Sequence, residues 1–230
     1  MTVHVRTSCR VPRLLTAPDR ALVFRRCLEA LAEPGEIRDL AAVFTGRGHD
    51  VASGIPVVSA PLLVLSDLLT PLAAMPGDDA AQEEVMRVAA LTHAPVVAHG
   101  SARLVLALRS PARADVLDLP RGTPWEPHTA ALLCVGVERV GGREASRADV
   151  SEVPEVAIDE GVRGSAARTL RLAGPGIPGS RELDVDGLGD DLLSARAEAI
   201  AFPLGFDVLL IDPDGRVAGL PRTTSVEVTR

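Results

Sequence analysis

The sequence predicts an α/β fold: a single-domain, three-layer sandwich with a mixed sheet. Three observations predict it. Strand-like apolar runs are interspersed with segments of helical period along a chain of 230 residues. The run from Thr129 to Val140 is almost wholly apolar, as a central strand covered on both faces must be. Val208-Leu209-Leu210-Ile211, then Asp212-Pro213-Asp214-Gly215, then Val217 to Leu220 read as two strands joined by a tight turn. Hydrophobic residues make up 47% of the chain, enough for a real core, and aromatics only 2%, so that core is built of Leu, Val and Ala.

Taken in order, residues 1–17 read as an irregular arm and 18–230 as one α/β domain. Pro18 and Asp19 suit a helix start. Ala21, Phe24, Leu28 and Leu31 recur at helical spacing and predict the buried face of that helix, which Pro34-Gly35 stops. A short strand is expected over Ile37 to Val43. Leu62 to Leu69 reads as a buried helix, with a buried strand as the alternative, because period alone does not separate them. Asp78 and Asp79 suit a helix N-cap, with Val85, Val88 and Ala89 facing inward and the end near Leu91. Val96-Val97 and Leu104 to Leu108 read as strands, and Ala112 to Leu117 as a short helix. Residues 141–167 are charged, carry Gly and lack large apolar side chains, so they read as a surface insertion. Thr169 to Ala173 reads as a strand and Asp190 to Ile200 as a helix.

Composition excludes several function classes. A net charge of -7 argues against nucleic acid as the main partner. The cysteines, Cys9, Cys27 and Cys134, are scattered and odd in number, with neither metal spacing nor a disulfide framework. The N-terminal stretch lacks the apolar region of a signal peptide. No apolar run approaches the roughly 20 residues of a membrane span. A cytoplasmic protein without a membrane partner is expected. Every basic residue in the Lys+Arg total of 24 is Arg. Without Lys there is no Schiff base, so pyridoxal phosphate has no covalent anchor, and no cofactor or metal is expected.

The residues that could carry chemistry are few. Arg25 and Arg26 on the first helix suit a carboxylate or phosphate, or simply a solvated flank. Gly174-Pro175-Gly176 after a strand suits either close approach to an anion or a plain tight turn. Trp125, the only Trp, stands between prolines as a stacking platform or a plug over the core. His93 and His99 fit no helical metal pair. Asp67 and Asp207 are acid–base candidates or turn caps. Pro221 lacks an N–H and ends regular pairing, so Arg222, Thr223 and Thr224 leave the sheet edge carrying guanidinium and hydroxyl donors. Arg222 then serves a polar site or subunit contact, or pairs internally with Asp207 or Glu227. No catalytic residue is identified.

Taken together, these segments resemble one family. They are Phe24-Arg25-Arg26 with Ala30 to Gly35, Leu62 to Asp67 with Thr70, and Gly122-Thr123-Pro124 through Pro127. Leu170 to Ile177, Phe202-Pro203-Leu204-Gly205-Phe206-Asp207 and Leu220-Pro221-Arg222-Thr223-Thr224 follow in order. The chain resembles PhnH, a subunit of the bacterial carbon–phosphorus lyase system for using phosphonates. The resemblance covers about Ala21 to Val228. The segment 141–167 is longer than the family usually has, and Ala90 to Pro95 lacks an aromatic-His-Thr-Gly pattern common there.

The resemblance implies a fold like the large domain of pyridoxal-phosphate-dependent transferases, without that cofactor. It implies a complex with PhnG, PhnI and PhnJ, and with PhnL in an assembly that makes a ribose 1-phosphonate 5-triphosphate from ATP and a phosphonate. It also implies a homodimer when isolated. The ligand or interface candidates under this reading are Arg25, Asp67, Gly174, Gly176, Asp207, Arg222, Thr223 and Thr224. The competing reading is a free-standing enzyme or sensor that binds a phosphate-bearing ligand through Arg25 and Arg222.

Overall fold

A computed structural model describes residues 10–11, 15–43, 55–141 and 167–229. The expectations for the N-terminal arm up to residue 9 and for nearly all of the 141–167 insertion lie outside the described residues. Along the chain, the described elements are β1 (Arg10–Val11), α1 (Ala17–Ala32), β2 (Arg38–Asp39), β3 (Ile55–Pro56), α2 (Ala60–Leu65), β4 (Leu72–Ala74), α3 (Asp79–Thr92) and β5 (Leu104–Ala107). They continue with α4 (Arg113–Leu117), β6 (Leu132–Gly136), β7 (Arg139–Gly141), β8 (Arg168–Ala173), β9 (Arg181–Asp186), α5 (Asp190–Ala199), β10 (Asp207–Ile211), β11 (Arg216–Leu220) and β12 (Ser225–Val228).

A mixed six-stranded sheet in the order β2-β11-β10-β6-β5-β4 divides the molecule. Its strands β4, β5, β6 and β10 run parallel; at one side β11 is antiparallel to β10, and β2 is antiparallel to β11. One face carries Leu104, Leu106, Cys134, Leu209 and Ile211 into a core with α1, α2 and α3. The other carries Val105, Leu133, Val135, Val208 and Leu210 against α5, Val116 of α4 and a four-stranded antiparallel sheet, β12-β8-β9-β7. Alternate residues of each strand thus feed opposite cores, which explains why β6 and β10 read as unbroken apolar runs. A separate short pair, β1 with β3, is antiparallel.

Several expectations hold. The C-terminal hairpin pairs Val208 with Leu220 and Ile211 with Val217. Its turn closes on Gly215 at φ 92°, while Asp212 accepts from the N–H of Asp214 and of Arg216 at 3.0 and 2.9 Å. Asp78 caps α3, accepting from Ala81 N at 3.1 Å, with Val85 and Val88 buried. The same carboxylate accepts from Leu108 N and Arg109 N just past β5.

Other expectations are corrected. The buried face of α1 is Val23, Cys27 and Ala30, whereas Phe24 and Leu28 are 48% and 54% exposed. The helix carries two apolar stripes, and the one of smaller residues faces the sheet because α1 lies extremely close to it. A Cβ on Gly219 of β11 would fall 2.4 Å from the Ala30 carbonyl oxygen. The apolar run 62–69 is helical only to Leu65, since Ser66 turns extended, and Leu68 and Leu69 point to solvent. The strand expected over 37–43 shrinks to β2, because Asp39 accepts from Ala42 N at 2.9 Å and starts a 3-10 turn. Val96 makes only an isolated bridge to Leu72. The long run from Thr129 breaks at Val137-Glu138, and β7 crosses into the second sheet. Strands β1, β3, β4, β9 and β12 were not expected, β1 lying in the stretch read as an irregular arm, although Leu183 and Val185 of β9 do alternate with charged neighbours.

Two predictions follow from this packing. Gly219→Ala forces α1 off β11 and should cost about 3 kcal/mol or more, read by urea unfolding; a cost below about 1 kcal/mol would contradict the close approach. Burial pushes the Cys27 thiol up to about 12 from 9.0, and raises Cys134 as well. Between those two values the folded state keeps a proton that the unfolded thiol has lost. The Cys27 contribution to stability is therefore full below about pH 9 and falls as pH rises toward about 12. In a Cys9→Ser chain, a thiol reagent at pH 8 should label neither Cys27 nor Cys134 until denaturant unfolds the protein.

Candidate functional site

The register of the hairpin brings two of the sequence candidates together. Because Val208 pairs with Leu220, the residues just before β10 and just after β11 meet at the same sheet end. Asp207 there accepts from Arg222 three times: from the backbone N at 2.7 Å, from Nε at 3.2 Å, and at its other oxygen from Nη2 at 2.7 Å. Nη1 of Arg222 donates to the Pro127 carbonyl at 2.8 Å. Of the two readings of Arg222, the structure shows the internal pair with Asp207.

The turn that carries Arg222 is held from below. Thr224 N donates to the Pro221 carbonyl at 2.9 Å, closing the turn. Beneath it lies Arg196 of α5, whose Nη2 donates to the Pro221 carbonyl at 2.6 Å and the Thr224 carbonyl at 3.1 Å. Burial pulls the Arg196 pKa down to about 10, against the opposing pull of the Asp207 charge, so the side chain is cationic at neutral pH. Sequence reasoning missed Arg196. The available signal was its place on the inward face of α5 beside Leu192, Ala195 and Ala199.

The other candidates divide. Gly174 and Gly176 form a turn, closed by Ile177 N to the Gly174 carbonyl at 3.1 Å. A Cβ on Gly174 would meet Thr223 O at 2.8 Å, and one on Gly176 would meet Ala32 O at 2.2 Å. These glycines let backbone approach backbone, which fits the tight-turn reading. Thr223 is exposed, and Thr224 is buried with its hydroxyl unpaired among the described residues. Asp67 caps its own turn, accepting from Leu69 N and Thr70 Oγ1, both at 2.8 Å. Those bonds, Thr70 foremost, hold its carboxyl below the usual range. Arg25 is exposed on α1 and does not line the cavity beside Arg222. Trp125 is 92% exposed, so it is no plug over the core.

A cavity of about 400 Å³ opens beside the Arg222–Asp207 pair. Leu104, Leu132 and Asp207, the first residues of β5, β6 and β10, line its floor, so it lies at the amino ends of the parallel strands. Leu65, Leu69, Ala130 and Ala131 complete the apolar wall, with Thr70, Arg103, His128 and Arg222 supplying polar groups. Arg103 Nη2 donates to the His128 carbonyl, while its Nε is buried and unpaired among the described residues. Sequence reasoning missed Arg103, which stands at the start of β5 with no motif around it. Among the described residues no group of three or more His, Cys, Asp or Glu side chains is placed to hold a metal.

Residues 15–227 match the family described as "Bacterial phosphonate metabolism protein (PhnH)". The chain belongs to the PhnH family. It is also 30% identical over 225 residues to a protein of Stutzerimonas stutzeri named "Putative C-P lyase subunit protein HtxG", covering 94% of this chain and 90% of that one. The blocks that carry the resemblance to PhnH gather in space. Pro127 accepts from Arg222, a Cβ on Gly205 would fall 3.1 Å from the Arg222 Cβ, and one on Gly174 would fall 2.8 Å from the Thr223 carbonyl oxygen. No described helix is long and apolar enough to cross a membrane.

This geometry makes Arg222 a structural residue of the PhnH fold. Arg222→Ala removes both prongs of the fork to Asp207 and the link to Pro127, and should cost about 1–3 kcal/mol in urea unfolding. Arg222→Lys should recover only part of that, because an ammonium does not reproduce the fork. Unchanged stability in both variants would exclude the staple.

Proposed function

We propose that the chain is a subunit of a carbon–phosphorus lyase complex in organophosphonate catabolism, without a complete active site of its own. The observation that carries this reading is the fate of two blocks of the resemblance, Phe202 to Asp207 and Leu220 to Thr224. They fold into a staple in which Asp207 and the Pro127 carbonyl take up the Arg222 guanidinium, and Arg196 takes up the Pro221 and Thr224 carbonyls. A reactive centre needs a nucleophile with a lowered pKa or an adjacent base. Both described thiols are instead buried and pushed up. Membership in the PhnH family and likeness to a protein named as a lyase subunit support the same assignment.

In this reading the partners are PhnG, PhnI and PhnJ, and the chain supports, with PhnL, formation of a ribose 1-phosphonate 5-triphosphate from ATP and phosphonate in the cytoplasm. The isolated chain pairs as a homodimer. Its single domain follows the large-domain plan of pyridoxal-phosphate-dependent transferases without using pyridoxal phosphate, in keeping with the absence of Lys. Exposed Phe24 and Leu28 on one turn of α1, and Leu68 with Leu69, are apolar side chains suited to subunit contacts.

Co-expression with a tag on PhnI tests the assignment. The chain should co-purify with PhnG, PhnI and PhnJ through size exclusion in a fixed ratio. Elution of a folded chain apart from all three would overturn it.

A further inference from the structure

Among the described residues, the cavity at the amino ends of the parallel strands is lined by two guanidinium groups, Arg103 and Arg222, and one carboxylate, Asp207. The Asp207 carboxylate is taken up by Arg222. Arg103 has no carboxylate partner among the described residues, one contact to a backbone carbonyl, and a buried Nε left unpaired. A cavity-lining guanidinium with no carboxylate partner can pair with an arriving oxyanion through charge-assisted hydrogen bonds. The rest of the wall is of another kind. Leu65, Leu69, Leu104, Leu132 and two alanines offer an apolar surface with no demand for hydrogen bonds. The volume, about 400 Å³, is that of a small-molecule site.

We propose that this cavity binds a small organic oxyanion, with one headgroup on Arg103 and a short apolar body on the leucine wall. The headgroup is single because the site has one guanidinium without a carboxylate partner among the described residues; a polyphosphate would call for several cations, and this chain has no Lys to add. Thr70 and His128 stand at the same wall as further polar groups. Arg103 and the leucines make none of the hydrogen bonds of the Arg222–Asp207 pair, which lines the same cavity.

Titration calorimetry on the full chain tests the site, with phenylphosphonate and benzoate as probes of the two headgroup types and benzyl alcohol as the uncharged control. At least one anion should saturate at one per chain, and the alcohol should not. Which anion binds more tightly identifies the headgroup. Arg103→Gln should weaken that anion about tenfold or more, the order of a lost charge-assisted contact. Leu69→Asp places a carboxylate at the wall on a side chain 88% exposed, so the fold is kept whatever Arg103→Gln does. It should weaken the anion about fivefold or more by like-charge repulsion. No saturation by either anion up to about 10 mM, or an affinity that both variants leave unchanged, would overturn the proposal.

Discussion

The carboxylate of Asp207 is where the fold is tied. It stands at the first residue of a central parallel strand and receives three donors from one residue just past the antiparallel strand alongside. Two of them come from a guanidinium whose remaining arm reaches the loop before β6. Charge-assisted bonds of this kind are shorter and stronger than neutral ones, and their planar fork also fixes orientation. The hairpin β10–β11 and the segment 122–128 are therefore linked through a single acidic side chain and the arginine it holds.

The parallel sheet also explains where the open space lies. In open α/β sheets ligands ordinarily bind outside the carboxyl ends of the strands. Here that side is already occupied. Asp78 accepts from Ala81, Leu108 and Arg109, and Asp212 accepts from Asp214, Arg216 and Val140. Two carboxylates of the chain itself thus use the backbone donors that a ligand would seek. Among the described residues, Asp207 is the carboxylate lining the cavity at the amino ends, and it is held by Arg222.

Much of this was legible in the sequence where the signal is local. The Asp-Pro-Asp-Gly turn, the Asp78 cap and the apolar run of β6 each depend on a few neighbouring residues. The buried face of α1 was not, because two stripes compete on that helix and the choice is made by Gly219, far along the chain. The split of the run from Thr129 was likewise set by pairing, with Glu138 N bonded to the Asp186 carbonyl. Asp207 and Arg222 each stood out by composition, yet their union needed the register of Val208 with Leu220. The cavity was out of reach altogether, since it is assembled from the first residues of three strands that no spacing connects.

Arg196 grips the turn below Arg222 through main-chain oxygens alone. Any sequence that adopts the turn offers those same two oxygens. The dependence of residues 221–224 on Arg196 is therefore one of shape, and a change at one leaves no compensating letter at the other. Two chains can agree at every position of the Pro-Arg-Thr-Thr block and still differ in how firmly it is held, according to what α5 places underneath.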